Sequence, residues 1–102
     1  MIDLIKHNLK HIKTLCENHS VKTLSLFGSA AKNTMHEESD IDFLVEFDDD
    51  VALLDYADNY FSLLDNLEKI FNKNIELISA KSLKNPVFKD EVYKSKIDLY
   101  AA

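Results

Sequence analysis

The sequence predicts an α+β protein, an α/β mixed sheet in which a few short strands are flanked by helices. Three observations predict it. Helical periodicity runs over residues 2–18 and 50–71, and short apolar stretches of strand character lie at 21–27, 41–47 and 75–79. No repeat, low-complexity tract or linker divides the 102 residues, so a single domain over 1–102 is expected.

In the first segment Ile2, Ile5, Leu9, Ile12 and Cys16 recur at spacings of three and four, with lysines between them. That pattern predicts one amphipathic helix over residues 2–18, stopped by Asn18-His19-Ser20. His7 and His11 lie four apart on it, but no glutamate follows His7 as a metalloprotease pattern would need, so they read as a solvated flank. Cys16 falls on the apolar stripe and reads as a core residue.

The stretch from Val21 to Phe27 is a buried strand by composition, and Gly28-Ser29 turns the chain after it. Gly28 is the single glycine, where average usage would supply about seven, so it marks a place where a side chain is not tolerated. Ala30 and Ala31 favour a helical turn before the polar run from Lys32 to Ser39. In the second strand Ile41, Phe43, Val45 and Phe47 share one face, and Asp40, Asp42, Leu44 and Glu46 share the other.

Asp48-Asp49-Asp50 ends that strand and reads as a solvated loop with a helix N-cap. The helix that follows carries its main stripe on Leu53, Ala57, Tyr60, Leu64, Leu67 and Phe71, with Leu54, Phe61 and Leu63 as further apolar positions. Those three suit either an interaction surface or a helix buried on two sides. After a turn at Asn72-Lys73-Asn74, the third strand puts Ile75 and Leu77 on one face and Glu76 and Ile78 on the other. Asn85-Pro86 reads as a cap with proline at the first helical position of a helix over 86–95, and Ile97 to Tyr100 as a closing edge of the sheet.

Charge and composition narrow the function. A net charge of −6 and the absence of arginine argue against a protein that grips a long nucleic-acid backbone. No apolar run approaches the roughly 20 residues of a membrane span, and the N-terminus does not resemble a signal peptide. A lone cysteine excludes an internal disulfide and fits a reducing cytoplasm.

The chemistry concentrates between Gly28 and Glu76. Side chains two apart on a strand lie roughly 6.5 Å apart on one face, so Asp40 and Asp42 can converge on a hard cation such as Mg²⁺. Backbone N–H groups at the Gly28-Ser29 turn suit phosphate oxygens, with the Ser29 hydroxyl as a further donor. Glu76 is a polar position in an otherwise apolar strand and becomes a third acid if that strand lies beside the second. Phosphate donors beside metal-binding carboxylates describe phosphoryl-type transfer.

Gly28-Ser29, ten intervening residues, then Asp40-Ile41-Asp42 opening an apolar strand resembles the signature of the DNA polymerase β-like nucleotidyltransferases. The short form resembles the minimal nucleotidyltransferases, commonly paired with a HEPN-domain toxin. The resemblance covers nearly the whole chain and implies the polymerase β-like fold. It also implies nucleotide binding by Gly28, Ser29, Lys32 and Ser39, and a catalytic and metal-binding set of Asp40, Asp42 and Glu76. Two Mg²⁺ ions and ATP as substrate follow from the same resemblance. Lys32-Asn33 stands where the family often has Arg-Gly, and Glu76 where it commonly has aspartate, so these are the positions where activity is open to change.

The function implied is transfer of AMP from ATP to a hydroxyl, a tyrosine, of a HEPN toxin, with this chain as cytoplasmic antitoxin. Two other readings stand beside it: a non-catalytic antitoxin that masks its partner, and a transferase acting on a small molecule such as an aminoglycoside. Self-association and a hetero-oligomer with the toxin both remain open.

Overall fold

A computed structural model of the chain describes residues 2–28 and 40–102. The chain begins with α1 (Ile2–His7) and α2 (Leu9–Asn18), followed by β1 (Val21–Phe27) and β2 (Ile41–Phe47). Next come α3 (Leu53–Phe71), β3 (Ile75–Ser79) and a 3-10 turn (Ala80–Ser82). The chain ends with α4 (Pro86–Ser95) and β4 (Ile97–Ala101). The four strands form one sheet in the order β3-β2-β1-β4. β1 pairs antiparallel with both β2 and β4, and β2 pairs parallel with β3, so the sheet is mixed as expected.

The strand alternation read from sequence sets the two faces of the sheet. Leu24, Leu26, Ile41, Phe43, Val45 and Leu77 point into the main core, against Ile12 and Cys16 of α2 and Leu63, Leu67 and Phe71 of α3. Phe43 meets Phe71 with ring centroids 6.1 Å apart. The opposite face carries a smaller cluster, in which Phe27 and Leu44 pack with Leu83 and with Val92 of α4. A two-faced sheet of this kind leaves the polar positions of that second face, Asp42 and Glu76 among them, at the rim of the smaller cluster.

Cys16 is fully buried, and burial followed by the Glu17 charge pushes its thiol up to about 12, which suits an inert core residue. Among the described residues, no helix is long and apolar enough to cross a membrane.

Three expectations are corrected. The helix over residues 2–18 is broken at Asn8, whose side-chain amide donates to the Leu4 carbonyl at 2.9 Å and so competes with the backbone ladder. The cap of α3 is Ala52 with no side-chain bond, not an aspartate, and Asp49 instead makes an exposed ion pair with Lys22 at 3.7 Å. The stripe of α3 is covered at Leu67 and Phe71 as expected, with Leu63 buried beside them, but its first residue, Leu53, is 85% exposed. That exposure arises because the first turns of α3 overhang the edge strand β3, where Tyr60 donates its hydroxyl to the Leu77 carbonyl at 2.5 Å.

The helix ends follow local chemistry. Ser20 and Asn72 take left-handed backbone angles, φ 58° and 51°, after α2 and α3. The His19 ring bridges the Leu15 carbonyl at 2.7 Å and the Ser62 hydroxyl at 2.9 Å, tying the end of α2 to α3. Asn85 caps α4, its Oδ1 accepting from the backbone N–H of Val87 at 3.0 Å and of Phe88 at 3.3 Å. Pro86 occupies the first turn, as the sequence predicts.

Candidate active site

Strand order and register decide which residues meet. Asp42 stands opposite Phe27 across the β1–β2 pairing and beside Glu76 across the parallel β2–β3 pairing. Gly28 directly follows Phe27, so the end of β1 and the starts of β2 and β3 converge on one locus. The condition on which Glu76 joins the aspartates' cluster, β3 lying next to β2, is met in the sheet order.

Gly28 has φ +66°, a backbone region that favours glycine. A Cβ placed there would collide with Asp42 Oδ2, well inside contact distance. The lone glycine thus has a structural cause at this turn: only a bare α-carbon lets the Asp42 carboxylate approach the backbone.

Asp42 is half-buried, and its carboxyl is pushed up to about 7. Burial is the largest cause, followed by a hydrogen bond to the Glu76 carboxyl, the Glu76 charge and the charge of Asp40. Glu76 itself is exposed and sits at the open rim of the sheet's edge strand. Asp40 lies just before β2 and is exposed, yet near enough for its charge to act on Asp42. Ser29, Lys32, Asn33 and Ser39 lie outside the described residues.

Among the described residues, no group of three His, Cys, Asp or Glu side chains is gathered closely enough to hold a metal ion. The structure brings together the pair Asp42–Glu76, with Asp40 acting on it through its charge. That donor set fits Mg²⁺, which takes one or two carboxylates and completes its shell with substrate phosphates and water. It also fits electrostatically, since a divalent cation would offset the repulsion from Glu76 and Asp40 that adds to burial in raising the Asp42 pKa.

The acids and Gly28 open onto a cleft of about 620 Å³ whose far wall is α4, through Phe88, Glu91, Lys94 and Ser95. A volume of that order is typical of a small-molecule site. Sequence reasoning placed α4 correctly but did not assign it to the site. The available signal was the spacing of Phe88, Glu91, Val92 and Ser95, one helical face on which Val92 alone is buried against the sheet.

This sheet, with its strand order and flanking helices, is the fold of a polymerase β-like nucleotidyltransferase. The chain belongs to that family: the family profile described as "Polymerase beta, Nucleotidyltransferase" matches residues 10–102. A Methanocaldococcus jannaschii protein named "Putative protein adenylyltransferase" is 41% identical over 85 residues, 81% of each chain. Two solved structures share the fold. One, a toxin–antitoxin with AMP-PNP, superposes with a TM-score of 0.71 at 23% identity, over 93% of this chain and 74% of its own. The other, a tri-AMPylated Shewanella oneidensis HEPN toxin in complex with its MNT antitoxin, gives 0.65 at 19%, over 95% and 72%.

Proposed function

We propose that this nucleotidyltransferase transfers AMP from ATP onto a hydroxyl, a tyrosine, of a HEPN-type partner protein and acts as that partner's antitoxin. The observation that carries the reading is the Asp42–Glu76 pair facing Gly28, with no room for a side chain between turn and carboxylate. The named adenylyltransferase relative and the AMPylated HEPN complex of the same fold support the choice of donor and acceptor.

In this reading the triphosphate lies against the turn after β1, in the cleft that Gly28 lines together with Asp42 and Glu76. Two Mg²⁺ ions, when bound, supply Lewis-acid charge to the phosphates and favour ionisation of the attacking hydroxyl. Asp40 and Asp42 would hold them, and Glu76, exposed at the rim, is placed to accept the proton of an incoming hydroxyl. The acceptor oxygen bonds to the α-phosphorus as the bond to the β-phosphate bridge breaks. Pyrophosphate leaves, and the proton goes to Glu76. Ser29, Lys32 and Ser39 are assigned to the nucleotide in the same proposal.

The test is incubation with α-labelled ATP, Mg²⁺ and the protein encoded by the neighbouring reading frame, the candidate HEPN-type partner. Label on that protein, lost with Asp42→Ala, is the expected result. An unlabelled partner that is neutralised equally by the wild type and by an Asp40→Asn/Asp42→Asn variant would replace catalysis with simple masking.

A further inference from the structure

A second concavity lies on the far side of β3. It is a groove of about 950 Å³ between the N-terminal half of α3 and the stretch from β3 through the 3-10 turn. Its wall on α3 includes Leu53, 85% exposed, and Phe61, 65% exposed, and Leu54 beside them is 82% exposed. Three large apolar side chains left in solvent within nine residues of one helix mark an interaction surface rather than scattered exposure.

Two further observations say what fits there. The charged residues lining the groove are Lys81 and Lys84, in a chain of net charge −6, and the Lys81 ammonium is held 5.8 Å from the centre of the Tyr56 ring. Ile78 lines both this groove and the cleft that holds Gly28, Asp42 and Glu76, and it shares a strand face with Glu76. A chain lying along the groove therefore runs over Ile78 to the acids.

We propose that the groove docks the acceptor protein through an amphipathic helix. Its apolar stripe packs against Leu53 and Phe61, and its acidic flank meets Lys81 and Lys84. This rests on the adenylyltransferase reading and gives it the surface that positions the acceptor hydroxyl. A second copy of this chain seated there would cover Ile78 and close the path to the acids, so continuity with the cleft favours the acceptor.

The experiment compares wild type, Phe61→Ala and Lys81→Glu/Lys84→Glu in two measurements. One is calorimetric binding of the HEPN-type protein, and the other is steady-state AMP transfer. The expected result is an acceptor Kd and KM raised about 10-fold or more, as for a central apolar or charged anchor, with KM for ATP and the melting temperature unchanged. An acceptor Kd unchanged in both variants overturns the proposal. So does a wild-type dimer in sedimentation that Phe61→Ala converts to monomer while acceptor binding stays intact. Wild-type binding without any AMP transfer, weakened by both variants, refutes the adenylyltransferase reading while supporting the docking surface.

Discussion

Asp42 on β2 and Glu76 on β3 are register partners across a parallel strand pair, and they share a hydrogen bond that helps raise the Asp42 pKa to about 7. Their environments differ: Asp42 is half-buried beside Gly28, and Glu76 is exposed on the edge strand. The difference separates their roles in the proposed reaction. Glu76→Gln is expected to lower kcat by about 10²–10⁴-fold, the usual contribution of a positioned base, with KM for ATP little changed. Asp42→Asn is expected to abolish both transfer and Mg²⁺-dependent nucleotide binding. Label transfer and equilibrium dialysis with ATP check the two.

Gly28→Ala tests the close approach at the turn. A left-handed backbone costs a non-glycine residue about 1–2 kcal/mol, and the new methyl would also displace the Asp42 carboxylate. The expected outcome is a modest loss of stability in urea unfolding and a much larger loss of transfer. In a double-mutant cycle, Asp42→Ala should relieve part of the stability cost of Gly28→Ala, because the two share one contact.

The raised pKa of Asp42 makes stability depend on pH. Its folded value of about 7 lies above the ordinary aspartate value of 3.8, so the folded protein holds the proton more tightly than the unfolded chain. The stabilisation from this group is full below the lower value and is lost as pH rises through the upper one. Metal-free protein should therefore melt at a lower temperature at pH 8 than at pH 6. That part of the difference should vanish in Asp42→Asn. Millimolar Mg²⁺ at pH 8 should raise the wild-type melting temperature and leave Asp42→Asn unmoved. Differential scanning calorimetry reads all three.

Asn85 anchors the wall of the cleft. Its side chain satisfies two backbone donors at the start of α4, and Asn85→Ala removes both. A loss of about 1 kcal/mol is expected, measured by urea unfolding. Because Phe88 is one of the two donors and also lines the cleft, ATP binding should weaken with it. Asn85→Ser, which keeps a capping oxygen, should restore most of both.

Much of this protein was legible in its residues. The bounds of β1, β2 and β3, the Asn85-Pro86 cap and the two faces of β2 follow from local periodicity and turn chemistry, which neighbouring residues determine among themselves. So does the special status of Gly28, a lone glycine set between a strand end and two aspartates. The break at Asn8, the exposure of Leu53 at the start of α3 and the burial of Leu63 were not legible, because each depends on what the helix meets in space. Periodicity marks a helix as amphipathic, and the sheet beneath decides how far along the helix its apolar stripe is covered.

By itself the sequence determined the strands, the helices apart from the break at Asn8, the α+β class, and the candidate residues Gly28, Asp40, Asp42 and Glu76. Tertiary structure alone decided that Glu76 stands beside Asp42, that a methyl at position 28 would strike the Asp42 carboxylate, and that α4 walls the cleft. It also decided that Leu53 and Phe61 face outward over Lys81 and Lys84. The physical reason is range. Backbone propensity and side-chain period act over a few residues, whereas register between strands more than thirty residues apart is set by burying one face of the whole sheet at once.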